Sequence, residues 1–498
     1  MEPQVEAITN VSNLVSPSAK TERMQLLNNI IAPLYISNDL CCTLERRIRM
    51  SVEWGLRLKN NPFTSIKCFP TYVKSLPTGK EECECLAIDL GGTNLRCILV
   101  SLKQGREPVL KERKAVVPIS VQQGTGEDLF RFVASEMKSF LDSLPGGLPN
   151  DSCLPLGFTF SFPCSQTALA AAQLHHWTKG FKCSNVEGND VGRLLSEALS
   201  AAGLNISVVA VLNDTTGALM SCAFKDPSTR IGLILGTGTN ACYVERLDEV
   251  ETADGSEGSM VINTEWGAFG EKGELDIIRT VWDAELDNMT PNPGQQVLEK
   301  MVGGMYLGEL IRIILVDLKT RGILLVGAYP TQEFSLLQPG TFTTHHLCEV
   351  ESDPLGEFTR CRKVWGKLGI PDPTDEDCFV LRTVCEAVSR RCCLLLAAGL
   401  AALLKKMDEK DVTIAVDGSL FRYHPHFGRK IEHRIQQLMG AGYKFRMLMS
   451  EDGSGKGAAI IAAALSMEQG EEPGTRSLLD DKSDKRLSNN DGWEFNMV

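Results

Sequence analysis

Two short stretches built to one pattern constrain this chain more than anything else in it. Leu86 to Val100 reads LAIDLGGTNLRCILV: an apolar run ends on Asp89, turns through Gly91-Gly92-Thr93-Asn94, and leaves as a second apolar run. Gly232 to Glu245 reads GLILGTGTNACYVE and repeats the device. The simplest structure for each is a pair of strands joined by a tight glycine turn. Glycine there takes positive φ and has no side chain, so backbone N–H groups can approach an anion closely. Thr93 and Asn94 add a hydroxyl and an amide, and Arg96 adds a cation. Asp89 puts a carboxylate where a hydrated Mg²⁺ would sit. Two such hairpins predict a two-lobed protein that clasps a polyphosphate.

A chain of 498 residues is too long for one ordinary core, which agrees with two lobes. Its net charge of -12 argues against a nucleic-acid partner. Seventeen cysteines in a chain this long do not make a disulfide scaffold, and several fall inside strand or helix patterns. Buried free thiols in a reducing compartment are expected. Cys83-x-Cys85 and Cys41-Cys42 lack zinc spacing, and His175-His176 and His424-Pro425-His426 lack partners at ligand distance, so no metal site of that kind is expected. No run of 18 apolar residues and no signal or presequence pattern is found, so a cytoplasmic protein without a transmembrane segment is expected.

Along the chain, residues 22–59 carry apolar positions at helical spacing and predict two helices broken around Pro33. A third strand is expected near Ala115 to Ile119, then a helix from a Thr125 cap to Leu141. Leu156 to Phe162 and Val208 to Leu212 read as buried strands, with a helix from Asp190 to Leu199 between them. Strands joined by crossover helices make this an α/β protein. Later come long helices over Gly294 to Leu318 and Thr374 to Lys405, strands at Val412 to Val416 and Phe445 to Leu448, and a helix ending at Ser466.

The loop at Gly453 to Gly457 opens that last helix and could hold phosphate at its N-terminus. It is not a G-x-x-x-x-G-K-[ST] loop, because Ser450 stands five before Gly455 and Gly457 follows Lys456. No G-x-G-x-x-G follows the first strand either. Asp214 ends a fully apolar strand, where the mouth of an open sheet is expected. It has an ordinary alternative as a helix cap, as Lys179 has as a solvated surface residue.

The motifs together resemble the eukaryotic hexokinases of the single-unit type, members of the actin-like ATPase superfamily. The segments that carry the resemblance are LAIDLGGTNLR (from Leu86), LGFTFSFPCSQTAL (Leu156), WTKGF (Trp177), VLNDTTGALMS (Val211) and IGLILGTGTNACYVE (Ile231). NTEWGAFGEKGELD (Asn263), NPGQQVLEKMVGG (Asn292), VDGSLFRYHP (Val416) and SEDGSGKGAA (Ser450) complete it. The resemblance implies an actin-like (ribonuclease H-like) fold with a cleft between a small and a large lobe. It divides the chain into a flexible arm over residues 1–20, helices over 21–76 that pack on the large lobe, a small lobe over 77–212 and a large lobe over 213–452. A helix over 453–468 returns to the small lobe, and a disordered tail takes 469–498. Hinges would lie near residues 77–82, at Asn213 and at Asp452.

It also implies ATP-dependent phosphorylation of the 6-hydroxyl of a hexose, the first step of glycolysis, with lobe closure on the sugar. Glucose is the first expectation, then mannose or fructose. Asp214 would be the general base, with Lys179 beside the transferring group. Ser161, Thr178, Lys179, Asn213, Asn240, Glu265, Gln296 and Glu299 would hold the sugar. Asp89, Gly91, Gly92, Thr93, Asn94 and Arg96 would form the first phosphate loop, Thr237 and Gly238 the second. Thr344, Gly418, Ser419 and Ser454 would lie near the nucleotide. Mg²⁺ would be held by the ATP phosphates and water, with Asp89 reaching the ion through that water. A monomer is expected, with a dimer as the alternative, and the N-terminus lacks the apolar leader of mitochondrion-docking members. Met305 stands where glucokinase-type members carry Lys. Gln338 to Thr344 and Cys348 also depart from the usual pattern, as does Leu174-His175-His176 before Trp177. The altered Gln338 to Thr344 run motivates a second expectation, a sugar sensor or regulator with weak catalysis.

Overall fold

The computed structural model describes residues 17–92, 94–104, 106–144, 153–178, 180–326, 335–450 and 453–468. Thr93, Lys179 and Asp452 lie outside the described residues, as do residues 1–16 and the tail from 469. The chain divides into two compact units, Met1–Leu76 with Asn213–Gly457, and Pro77–Leu212 with Ala458–Val498.

The first unit begins with helix α1 (Pro17–Ile31), which starts inside the stretch expected to be a flexible arm. Proline opens it, at a position where the missing N–H has no intrahelical partner to lose. Helix α2 (Asn38–Gly55) is capped by Ser37, whose Oγ accepts the Leu40 N–H at 3.2 Å, and it buries Leu44, Ile48 and Val52. Strand β1 (Phe69–Pro70) follows.

In the second unit, β2 (Cys83–Leu90), β3 (Asn94–Leu102) and β4 (Val109–Val116) form an antiparallel meander. The third strand therefore lies upstream of the expected Ala115 to Ile119. Pro118 cannot donate to a ladder, and Ile119 instead starts the short helix α3 (Ile119–Gln122). In α4 (Gly126–Asp142), Thr125 and Asp128 form a reciprocal capping box. Strand β5 (Leu154–Phe160) runs parallel to β2, β6 (Cys164–Ala168) and β7 (Ala171–Leu174) make a separate hairpin, and α5 (Val191–Ala201) is capped by Asp190. With β8 (Ile206–Leu212) the sheet order is β4-β3-β2-β5-β8. Cys85 to Leu90 are all buried, as expected of a central strand covered on both faces.

The chain returns to the first unit through α6 (Asp214–Ala223). Strands β9 (Thr229–Leu235), β10 (Thr239–Arg246) and β11 (Ser259–Asn263) form its meander, followed by α7 (Val281–Met289). The continuous helix expected over Gly294 to Leu318 is two helices, α8 (Val297–Val302) and α9 (Gly304–Thr320), broken at an extended Gly303. A Cβ at Gly303 would meet the Thr237 carbonyl oxygen at 2.9 Å, so the break lets α9 begin against the β9–β10 turn. Next come α10 (Thr344–Glu351), α11 (Thr359–Lys367) and α12 (Asp375–Met407). The unit ends with β12 (Asp411–Asp417), α13 (Ser419–Tyr423), α14 (Phe427–Met439), β13 (Lys444–Met449) and the start of α15 (Gly453–Glu468). The first residues of α15, through Gly457, group with this unit and the rest with the other. The sheet order is β1-β11-β10-β9-β12-β13, with β12 parallel to both its neighbours.

Helix α12 holds an 18-residue window of mean hydropathy 1.7, apolar enough by composition to cross a membrane. Of that window 89% is buried among the unit's own side chains, so the apolar surface is already covered by the core. All seventeen cysteines are free thiols, and burial pushes those of Cys97 and Cys242 up to about 12.

Two sets of charges buried in this core are paired. The Arg391 guanidinium, fully buried, meets both oxygens of Asp283 at 2.6 and 2.7 Å. Glu351 is buried between Lys430 Nζ at 2.8 Å and His424 Nε2 at 3.6 Å. Burial raises its carboxyl, but His424 and Lys430 outweigh that and bring it down to about 2. A carboxyl lowered by folding stabilises the fold above its ordinary 4.5, and that contribution is lost as pH falls toward 2. Glu351→Gln should therefore cost about 2–3 kcal/mol at pH 7 in urea denaturation, with the gap to wild type closing as pH falls below 4.5. A gap independent of pH would show that the charge contributes nothing.

Candidate functional site

In the first unit, the turn after β9 and the end of β11 bring a set of amides and carboxylates together. Ala241 N–H donates to Asn240 Oδ1 at 2.8 Å, which directs the Asn240 Nδ2 group at Asn263 Oδ1 (2.8 Å) and Glu265 Oε1 (3.1 Å). Asn263 Nδ2 donates to the same Glu265 oxygen at 2.8 Å. Glu299 Oε2 accepts the Thr239 N–H at 3.0 Å, and Trp266 Nε1 donates to Thr239 Oγ1 at 3.2 Å. Gln296 N–H donates to Glu271 Oε1 at 2.8 Å.

Glu265 and Gln296 both sit at φ 51°, ψ 45°, a left-handed conformation that non-glycine residues adopt at a cost of about 1–2 kcal/mol. Such strain persists where the surroundings over-determine it, and it clusters at functional sites. Two absent side chains make the room. A Cβ at Gly238 would lie 2.2 Å from Glu299 Oε2, and one at Gly267 would lie 2.4 Å from Gln296 Oε1.

Asn213, not Asp214, caps α6: its Oδ1 accepts the Thr215 N–H at 2.9 Å. The cap that could have explained Asp214 is thus supplied by its neighbour, although Asp214 Oδ1 also accepts the Thr215 N–H at 2.9 Å. Asp214 is half-buried, and its charge adds to burial in raising the Cys242 thiol. Cys242 pairs with Asn263 across β10 and β11, and α6, which Asp214 opens, packs on β10.

The second turn meets two further elements. Gly236 and Thr237 carbonyl oxygens accept the Gly304 and Met305 N–H groups at 2.8 and 2.9 Å, closing the start of α9. Thr344 Oγ1 accepts the Gly308 N–H at 3.1 Å and donates to the Gly304 carbonyl, so the departing run from Gln338 is tied to the same helix. Gly418 follows β12 at φ 126°, and a Cβ there would lie 2.2 Å from the Leu235 carbonyl oxygen. Asp417 holds the Gly418 N–H at 2.7 Å and the Gly453 N–H at 3.1 Å, placing Gly418, Ser419 and Ser454 on one carboxylate's neighbours.

In the second unit, the Gly91 N–H donates to the Asn94 carbonyl at 3.0 Å and closes the first turn around Gly92. Asp89 and Arg96 face each other across β2 and β3, with Oδ2 at 3.1 Å from Nε and 2.7 Å from Nη2. The cation and carboxylate expected to serve the phosphates separately are therefore a pair. Ser161 N–H reaches the Leu90 carbonyl at 3.4 Å, which places Ser161 beside that turn. Thr178 is held in a turn by the Phe181 N–H at 3.1 Å, next to a cluster in which Trp177 stacks on Phe181 and meets Phe162 edge-on. Thr93 and Lys179 lie outside the described residues.

Asn263 and Glu271 were not singled out as site residues from the sequence. Asn263 opens a quoted motif and Asp417 ends an apolar strand, the same signal that marked Asp214. Glu271 lies inside the same quoted motif as Asn263.

Two family models, both described as hexokinase, match residues 26–224 and 230–464. Hexokinase HKDC1 of Homo sapiens is 42% identical over 457 residues, covering 90% of this chain and 49% of its own length. Hexokinase-1 of Rattus norvegicus is 41% identical over 451 residues, covering 89% of this chain and 48% of its own. The chain thus spans about half the length of the curated relatives it matches. A solved hexokinase from Schistosoma mansoni, complexed with glucose, has a TM-score of 0.82 and 41% identity, covering 90% of this chain and 100% of that one.

Gly418 and Gly440 offer a test of how tightly the β12 loop is built. Both have positive φ, but nothing lies within 4 Å of a Cβ at Gly440. Gly440→Ala should cost about 1 kcal/mol, and Gly418→Ala several times that in thermal denaturation, because there a backbone oxygen must also move. Equal losses would show that the close approach is unimportant.

Proposed function

The chain belongs to the hexokinase family, and on that premise we propose that it transfers the γ-phosphoryl group of ATP to the 6-hydroxyl of a hexose, glucose first among them. The observation that carries the reading is the set around Glu265, in which amides and carboxylates are held in fixed orientations by one another. An aldohexose presents a ring of hydroxyls, each both donor and acceptor. A rigid set of Asn240, Glu265, Gln296 and Glu299 can pair them and leave a buried group unpaired against a sugar of wrong configuration. Asn213, Ser161, Thr178 and Lys179 complete the proposed sugar contacts.

Asp214 is proposed as the general base. Its carboxylate takes the proton of the 6-hydroxyl as that oxygen attacks the γ-phosphorus and ADP leaves. A positioned base of this kind contributes on the order of 10²–10⁴-fold. Phosphoryl transfer otherwise needs positioning and neutralised charge, which the two glycine turns, Lys179 and the Mg²⁺ carried by the nucleotide would supply. Asp89 offers the hard oxygen that suits a hydrated Mg²⁺, with Arg96 balancing its charge.

A coupled ADP-release assay with glucose, mannose and fructose tests the reading, and Asp214→Ala tests the base. The variant should lose at least about a hundredfold in kcat while binding hexose as before. Retained turnover removes Asp214 from the role. Wild-type chain that binds hexose without releasing ADP would instead favour a sugar sensor, the reading suggested by the altered run from Gln338 to Thr344.

A further inference from the structure

Asn263 is the last residue of β11, is 6% exposed, and lies between two of the proposed sugar contacts. The polarity of this cluster follows from one backbone group. The Ala241 N–H is a donor only, so the Asn240 oxygen must be the atom that faces it at 2.8 Å. The Asn240 NH₂ group then points to Asn263 and Glu265. Asn263 must in turn present its oxygen to Asn240 and its NH₂ group to Glu265, 2.8 Å from each. No alternative amide orientation pairs donors with acceptors throughout. Glu265, two residues on, sits in a strained left-handed backbone, and a side-chain anchor of this kind over-determines such a conformation.

We propose that Asn263 is a positioning residue: its amide relays to Glu265 the hydrogen-bond polarity fixed at Asn240 and holds both side chains in the arrangement that receives a hexose. Asn263 itself touches no substrate in this scheme. Its oxygen orients the Asn240 amide so that the remaining lone pair of Asn240 Oδ1 is offered to a hydroxyl proton. Its NH₂ group holds Glu265 as an acceptor. The inference rests on the hexokinase reading of the same site.

Asn263→Asp tests it, because the side chain keeps its shape while the donor facing Glu265 becomes an acceptor. Losing one positioned hydrogen bond and opposing two carboxylates should raise the glucose KM by about 10–100-fold. The KM for ATP should stay within about twofold, and kcat should fall less than the glucose KM rises. The glucose Kd, read from intrinsic tryptophan fluorescence, should rise in parallel. As pH falls from 8 to about 5.5 the two carboxylates should come to share a proton, which restores the missing donor and narrows the defect. Asn263→Ala should raise the glucose KM without that pH dependence, and it carries the test if the aspartate variant does not fold.

A wild-type glucose KM in either folded variant overturns the inference. So does an equal loss of affinity for glucose and ATP, which is what a purely structural role would produce. Wild-type chain that neither binds nor phosphorylates a hexose overturns the underlying reading, whatever the variants do. Wild type that binds glucose without turnover overturns only the catalytic part, since the Kd comparison still decides the role of Asn263.

Discussion

Backbone packed directly on backbone, at the ends of the strands in the first unit, is the constraint on which the rest of the structure depends. The turn after β9 runs beside Gly418, with a Cβ at Gly236 coming 3.5 Å from the Gly418 Cα. The same turn closes the start of α9 through the Gly236 and Thr237 carbonyls. Behind it, a Cβ at Gly217 of α6 would meet the Ser454 carbonyl oxygen at 2.5 Å. A Cβ at Gly217 would push α6 and α15 apart, and one at Gly418 would do the same to the ends of β9 and β12. Their absence brings three helix starts and two strand ends into one place, with polar backbone groups inside hydrogen-bond range.

That convergence creates an electrostatic problem, and the site solves it with paired polarity. Glu265 and Glu299 are carboxylates on a partly buried surface, where an unpaired charge is costly. Two side-chain amides serve Glu265, and a backbone N–H serves Glu299. The same logic governs the core, where Arg391 covers Asp283 and Lys430 covers Glu351. In the second unit it joins Asp89 to Arg96 across the first hairpin. Each of these five carboxylates is therefore placed against a partner of opposite polarity. The left-handed backbone at Glu265 and Gln296 is the cost of aiming those side chains, and the neighbouring hydrogen bonds hold it there.

Much of this was legible one residue at a time. Local signals carried the caps at Thr125 and Asp190, short polar side chains ahead of apolar periodicity, whereas the cap that the sequence offers at Asp214 falls one residue earlier, on Asn213. Both glycine hairpins, the buried strands ending at Leu212 and at Asp417, and the 33-residue helix α12 were visible in the same way. The misplacements had local causes with distant reasons. Pro118 moved the third strand upstream, and Gly303 divided a helix that periodicity alone ran together. The pairing of Asp89 with Arg96 depended on hairpin register, which assigns opposite residues only after the turn is formed.

The sequence by itself determined the element types, the two glycine turns and which polar residues stand at strand ends, because propensity, periodicity and capping act over a few residues. Tertiary structure alone decided which of those polar groups meet. Asn240, Asn263 and Glu265 come from two strands and the turn after them, and only the β10–β11 register brings their side chains within 3.1 Å. Hydrogen-bond polarity is a property of that assembled set, set by one backbone N–H that no residue in isolation reveals.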